Sequence, residues 1–408
     1  WWAFSTAQLR MILQQRMKDM GRWEANNRAC AQAISEVAES DEDHLLLGQL
    51  LIAGGDHELG ITLLLKTIRE RYIDTAPQGE WALLDLVDAT LDQIQAVDSD
   101  IRRLQCMERR FRLQSLRGDI PGALALGERL YPLAEAAGAH RIQGSVLMHL
   151  ANTCYAHGLF VKMEDYARRA VEVTDRYGLN DLAVTPRTNL IFNHARLRNF
   201  EEAHRLLREC EQFEEWMTLT QQIQVLIANA NISKLQKRYG DEEVLYQQCI
   251  VLARADDNPI AECAASNNLA GFYLRRRDPE HAIPLLQRSM AIGERIDYHS
   301  GPVAEMYFGH ALVLMGQLDQ ARRILHQAMA VFTRRQNYKR MVDTQTVLLM
   351  CATADGDLHE MQRRVDVICG LFDRYNVVGF QYIDWIADRL QEMGLSDQAK
   401  PILAPLYE

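Results

Sequence analysis

The chain has 408 residues, 48% of them apolar, with 45 basic against 55 acidic side chains and a formal charge of −10. That balance, with an isoelectric point near 5.7, excludes a general affinity for nucleic acid or for an anionic membrane. Only 10 prolines occur, β-branched runs are few and no apolar run nears about eighteen residues, so the sequence predicts an all-α fold without a membrane span.

The chain opens on Trp1-Trp2, with neither Met nor a basic-then-apolar leader. That start is expected for the cut edge of a longer protein, not for a signal peptide. Two helix pairs fit the beginning, one over 7–40 with Gly21 and Trp23 at its turn, the other over 41–74 with Gly48, Gly55, Asp56 and Leu64. The pattern slips between 75 and 103. Thr75-Ala76-Pro77-Gln78-Gly79 has the composition of a linker, and an extra helix is expected over about 80–97. From Ile73 to Ile101 the segment carries seven acids (Asp74, Glu80, Asp85, Asp88, Asp92, Asp98, Asp100) and no Lys or Arg. The expected organisation is therefore a pair of repeats over 1–75, a linker and acidic helix over 76–103, and a main superhelix over 104–408.

A beat of about forty residues runs through that last part, falling on Gly118, Gly158, Arg198, Gly240, Arg277, Gly316, Gly356 and Gly394 at gaps of 37 to 42. Around each beat stand an apolar helix, a short turn and a second apolar helix, which predicts a stacked-repeat architecture. Unit 144–177 has Leu147, Leu150, Ala151, Cys154, Gly158, Ala167 and Ala170; unit 184–217 has Leu190, His194, Ala203, Leu207 and Cys210. In unit 263–296 the first helix presents Leu269, Ala270 and Tyr273 and the second Ala282, Leu286 and Ser289, each set on one helical stripe. Unit 302–335 repeats this with Phe308, Gly309, Leu312, Gly316, Ala321, Leu325 and Ala328; units near 104, 222, 342 and 380 are weaker but keep the turn. Asp119, Asp241, Asp278 and Asp357 follow the beat and are expected to cap each second helix. Pro284, inside a second helix, should bend it locally.

Large–Leu–small–aromatic followed by Ala, large and Ala resembles the tetratricopeptide repeat, and the resemblance covers nearly the whole chain. It implies a right-handed α-α superhelix of about ten helix-turn-helix units plus one extra helix. The first helices of the units (A helices) line its concave face, where a protein or peptide partner binds. The period exceeds the family's usual length of about 34 residues, so the helices should be longer by about a turn. Long repeats of this kind are similar to those of bacterial regulatory proteins, such as the sensor arm of the maltose-regulon activator. This similarity implies a cytoplasmic sensor or regulatory region whose effector domain lies outside this stretch. A stand-alone scaffold and a small-molecule-sensing arm are the alternatives.

Three sets of residues carry recognition in this reading. Helix-A asparagines in peptide-binding relatives hydrogen-bond the peptide backbone, and the matching positions are Asn189 and Asn268, with Asn152 one turn on in its own repeat; an Asn bonding a neighbouring loop is the alternative. Basic residues end three successive A helices, Arg196 and Arg198, Lys237 and Arg238, and Arg275 to Arg277. The helix dipole, worth about 0.3–1 kcal/mol each, accounts for one or two per helix; all together would form a ridge that steers an acidic group. Met306, Tyr307 and His310 form the third set, with inter-repeat packing as the alternative. The family's carboxylate clamp for chaperone tails has no match, since Met148, Ile223 and Ile227 stand where its Lys and Arg would be.

No nucleotide loop, His-Glu-x-x-His helix or Cys/His cluster at ligand spacing occurs, so neither catalysis nor a metal or cofactor is expected. His149 and His157 share a helix side but do not make up a ligand set. The eight cysteines stand singly and are expected as buried free thiols.

Overall fold

The structure, a computed structural model, describes residues 7–70, 77–296, 301–375 and 382–406. Among these are 21 α-helices and no strand. The first pairs are α1 (Ala7–Asp19) with α2 (Trp23–Ser35) and α3 (Asp41–Ala53) with α4 (His57–Glu70), followed by the single helix α5 (Pro77–Gln93). Eight further pairs complete the chain: α6 (Ile101–Arg117) with α7 (Ile120–Ala136), α8 (His140–Ala156) with α9 (Phe160–Arg176), α10 (Val184–Arg196) with α11 (Phe200–Glu211), α12 (Leu219–Leu235) with α13 (Tyr239–Ala255), α14 (Pro259–Arg275) with α15 (Pro279–Ile296), α16 (Gly301–Leu314) with α17 (Leu318–Arg334), α18 (Tyr338–Asp355) with α19 (Leu358–Tyr375), and α20 (Ile383–Glu392) with α21 (Ser396–Leu403). The fold is the expected all-α solenoid of ten pairs and one extra helix.

The forty-residue period has a simple origin: helices α8 and α9 each run 17 residues, with only 157–159 between them. The beat marks the residue that takes left-handed backbone geometry after each first helix, with φ of 76° at Gly118, 78° at Gly158, 57° at Arg198, 61° at Arg277 and 75° at Gly316. In each case the next N–H donates back to a carbonyl five residues earlier, as Leu159 does to Cys154 (2.9 Å) and Asp278 to Tyr273 (3.0 Å). This closes the helix end and satisfies its last carbonyls. One beat moves: between α12 and α13 the left-handed residue is Lys237 (φ 59°), not Gly240, which lies inside α13. The uneven gaps of 42 and 37 then become 39 and 40.

Asp119, Asp278 and Asp357 cap their helices as expected, accepting from Gly122, His281 and Glu360 at 3.1, 3.2 and 2.9 Å. Asp241 does not, because α13 starts two residues before it; it pairs with Arg238 at 3.1 Å. The extra helix also starts earlier than expected. Pro77, Gln78 and Gly79 belong to α5 and not to a linker, with proline at the first position, where its missing N–H costs nothing. Thr75, Ala76 and the opening tryptophans lie outside the described residues. Helix α15 runs unbroken through Pro284.

Cα packing divides the chain into two compact units, Trp1–Leu113 with Pro132–Ile142, and Gln114–Tyr131 with Gln143–Glu408. In the smaller unit the acidic helix α5 lies against a basic face of α6. Arg109 pairs with Glu80, Arg110 with Asp85 and Asp88 (2.7 and 3.0 Å), and Arg103 with Asp92 (2.9 Å). In the larger unit small residues set the helix approach: Ala270, Ala282, Ser289, Ala321 and Ala328 are wholly buried. A Cβ on Gly309 would come within 2.7 Å of Leu325, so that pair of helices packs where only glycine fits. Six of the eight cysteines are buried and all are free thiols; burial pushes Cys106, Cys154, Cys210 and Cys249 up to about 12, which keeps them protonated and inert.

Candidate partner-binding site

In the larger unit the first helices of successive pairs pack on one another, α10 on α12, α12 on α14, α14 on α16 and α16 on α18. Their side chains three, four and seven apart therefore share one inner face. These are Asn152 and Tyr155 on α8, Asn189, Phe192 and Arg196 on α10, Ile227 and Lys234 on α12, Asn268, Gly271 and Arg275 on α14, Tyr307 and His310 on α16, and Lys339 and Asp343 on α18. Elements far apart in the chain also meet. The Lys339 ammonium lies 5.4 Å from the centre of the Tyr155 ring, and Arg277 pairs with Asp388. A Cβ on Gly118 would stand 2.8 Å from Arg335 Cδ. The larger unit thus turns back on itself and its inner face becomes a bore.

The expected site residues fall in different places. Asn189 donates through Nδ2 to Oδ1 of Asn152 at 2.7 Å, so these amides are engaged with each other across adjacent repeats. Asn268 is half-buried on the face that carries Arg275. Arg196 stacks on Phe160, 4.1 Å from the ring centre, and donates to Asn193 at 3.0 Å. Arg275 pairs with the wholly buried Glu242. Tyr307 is half-buried, its hydroxyl 3.5 Å from where a Gly271 Cβ would be, with Arg275 Nη1 at 3.7 Å from the same point. His310 is 1% exposed, packs edge-on against Tyr382 at 4.3 Å, and is driven down to about 3 by burial and then by the Arg275 charge. Met306, also 1% exposed, is part of the core with Leu312 and Leu325, and presents no surface.

The basic helix ends do not act as one ridge. Arg275 turns inward, Arg277 pairs with Asp388, Arg238 with Asp241, and Arg276 lies 5.5 Å from the Tyr239 ring.

Four residues of the bore were not apparent in the sequence: Lys234, Lys339, Arg340 and Tyr382. Arg340 pairs with Asp343 at 3.0 Å. Lys234 and Lys339 make no hydrogen bond or ion pair to a described residue. Burial drives Lys234 down to about 7, helped by the Arg275 and Lys339 charges and opposed by Glu242. Burial likewise lowers Lys339 to about 8, with Arg340 adding to the effect. A usable signal existed: once Lys237 is taken as the beat, Lys234 stands within one residue of the register of Arg196 and Arg275.

Among the described residues no group of three or more His, Cys, Asp and Glu gathers as a metal site, and no helix is long and apolar enough to cross a membrane. The family model for the tetratricopeptide repeat matches residues 263–296, the unit in which the repeat pattern is clearest. Among solved structures, a Rap protein complexed with Competence and Sporulation Factor is similar over 93% of this chain and 97% of its own, at 10% identity and a TM-score of 0.62. A signal transduction ATPase with a tetratricopeptide repeat sensor, from Pyrococcus horikoshii, is similar over 90% of this chain and 72% of its own, at 12% identity and a TM-score of 0.49. No curated protein sequence registers as a relative. The repeat is thus matched in sequence over residues 263–296, and the helical solenoid fold is matched over nearly the whole chain.

Proposed function

We propose that the bore of the larger unit binds an extended segment of a partner protein without catalysis. In this reading the chain is the sensor or regulatory part of a larger cytoplasmic signalling protein of bacterial type. Residues 1–75, the joint at 76–103 and the superhelix of 104–408 are its three parts. The observation that carries the proposal is the single inner face on which Asn268, Arg275, Arg196 and Tyr307 converge from successive A helices. Amide, guanidinium and phenol groups on a rigid surface suit a peptide backbone and lower the ordering cost of binding. Asn152 and Asn189 would exchange their mutual bond for bonds to the ligand. The complex formed by the similar Rap fold is consistent with such a use.

The test is selection from a random peptide library on the 408-residue chain, followed by affinity measurement with Asn189→Ala and Asn268→Ala. Each substitution should weaken the selected peptides about tenfold, the effect of about one lost hydrogen bond in a dry site, with helicity by circular dichroism unchanged. Peptides that bind the variants as well as the parent would count against the groove. A small-molecule-sensing arm is the second reading, favoured by the approach of Lys339 to Tyr155 that closes the bore. It predicts that no library peptide binds while a small ligand raises the melting temperature.

A further inference from the structure

His310 stands on the inner face of α16, yet it is 1% exposed, and the ring of Tyr382 lies edge-on against it with 4.3 Å between ring centres. Tyr382 opens α20 in the last pair, whereas the first helices stacked on α16 are α14 and α18. The ring therefore reaches past α18 to lie on the inner face, where a bound segment would lie. A second contact of the same helix also skips its neighbours. Asp388 of α20 pairs with Arg277 in the turn after α14, with two helix pairs between them in the stack. The cover is imperfect. Tyr382 has a φ of 72°, left-handed geometry that a bulky side chain disfavours, and no side chain caps the helix that it opens. Nδ1 of His310 is buried without a hydrogen-bond partner among the described residues.

We infer that the inner face at His310 is a pocket for one aromatic side chain of the bound segment, and that Tyr382 is its resident occupant in the free protein. This inference rests on the groove reading above; it names the residue type that the partner brings and the contact that it displaces. The resident ring shows what the pocket accepts. It is an aromatic side chain set edge-on to an imidazole that burial keeps uncharged, with the Tyr307 phenol on the same helix face. Tyr382 is held there less by its own fit than by the rest of α20. Ile386 and Leu390 anchor that helix in the core, and Asp388 latches it to Arg277. Strain over-determined in this way gathers where a contact is meant to yield. The latch is weak enough to yield, since its two side chains are 49% and 54% exposed. A partner's ring needs no left-handed residue, and the segment that carries it brings a polar group to the orphaned nitrogen. It therefore favours the open state over the covered one, which is what a ligand needs in order to shift the balance.

The test uses the full chain with p-cresol, the tyrosine side chain alone, and 4-methylcyclohexanol, a saturated compound of similar size, both read by saturation-transfer NMR. Asp388→Arg turns the latch into a repulsion without opening a hole, and should raise p-cresol affinity about tenfold as the open fraction grows. The saturated compound should gain far less, and Asp388→Glu should behave as the parent. Tyr382→Gly covers the case of a misfolded Asp388→Arg variant. It vacates the pocket and relieves the left-handed strain, and should bind p-cresol in preference to 4-methylcyclohexanol. Peptides selected from the random library should carry an aromatic residue and bind Asp388→Arg about tenfold more tightly than the parent, a gain lost when that residue is Ala. An unchanged p-cresol affinity in a folded Asp388→Arg variant overturns the pocket, because Tyr382 is then ordinary core packing. Equal gains for both compounds overturn it too. Selected peptides without an aromatic residue overturn the pocket and leave the groove intact, and a library without binders overturns both.

Discussion

Each turn after a first helix is closed by one residue in left-handed geometry, and at Gly316 that requirement can be isolated. Its φ is 75°, and a Cβ there meets no described atom within 4 Å. Gly316→Ala therefore changes backbone preference and nothing else. It should lower stability by about 1 kcal/mol, read as a shift in the urea midpoint; an unmoved midpoint would mean that the turn relaxes freely. Arg198, Lys237 and Arg277 already bear this cost, with φ near 60°. The glycine beats were legible because glycine at a helix end has a mechanical reason to be there. Lys237 was not, because Gly240 and Asp241 just after it are stronger turn and cap signals, yet α13 begins at Tyr239 with no capping side chain. Local propensity was overridden by the spacing that stacking demands.

Between elements, the acidic helix α5 shows how an oddity of sequence can be seen while its partner goes unnoticed. Its acids are the complement of Arg103, Arg109 and Arg110 on α6. The signal lay in the spacing, since Arg103 and Arg110 are two turns apart and Asp85, Asp88 and Asp92 repeat at three and four. Which helix would lie alongside, and in what register, is tertiary information. The bridges are unequal. Arg109 and Glu80 are 7% and 15% exposed, whereas Asp92 opposite Arg103 is 71% exposed. Arg109→Met should leave a buried carboxylate uncompensated and cost about 3 kcal/mol, largely recovered by adding Glu80→Gln. Arg103→Met should cost under about 1 kcal/mol. Denaturant unfolding of the three variants checks the order, and equal losses would refute the role given to burial.

At the scale of the larger unit, the architecture was legible from periodicity alone, while the charges of the bore were not. The A-helix positions of Asn268 and Arg275 follow from the repeat, but Lys339 meets Tyr155 only because the unit turns back on itself. That closure has a consequence for stability. A lysine held below its ordinary value binds its proton less tightly folded than unfolded. Its penalty is fully present below the folded value, about 7 for Lys234 and about 8 for Lys339, and is relieved as pH rises from there toward the unfolded value near 10.4. Stability should therefore rise between pH 7 and 9.5 by about 1 kcal/mol per lysine once solvent screening is allowed for. Burial raises Tyr155 and Tyr382 above that window and drives His310 below it, while Arg340, raised by Tyr307 and Asp343, stays charged throughout. Other groups also titrate, so the quantity to measure is the difference between the parent and the Lys234→Met, Lys339→Met variant in urea midpoints at pH 6.5, 8 and 9.5. The parent should gain on the variant as pH rises. A constant difference would mean that both ammonium groups reach water freely and that the bore is open where Lys339 meets Tyr155.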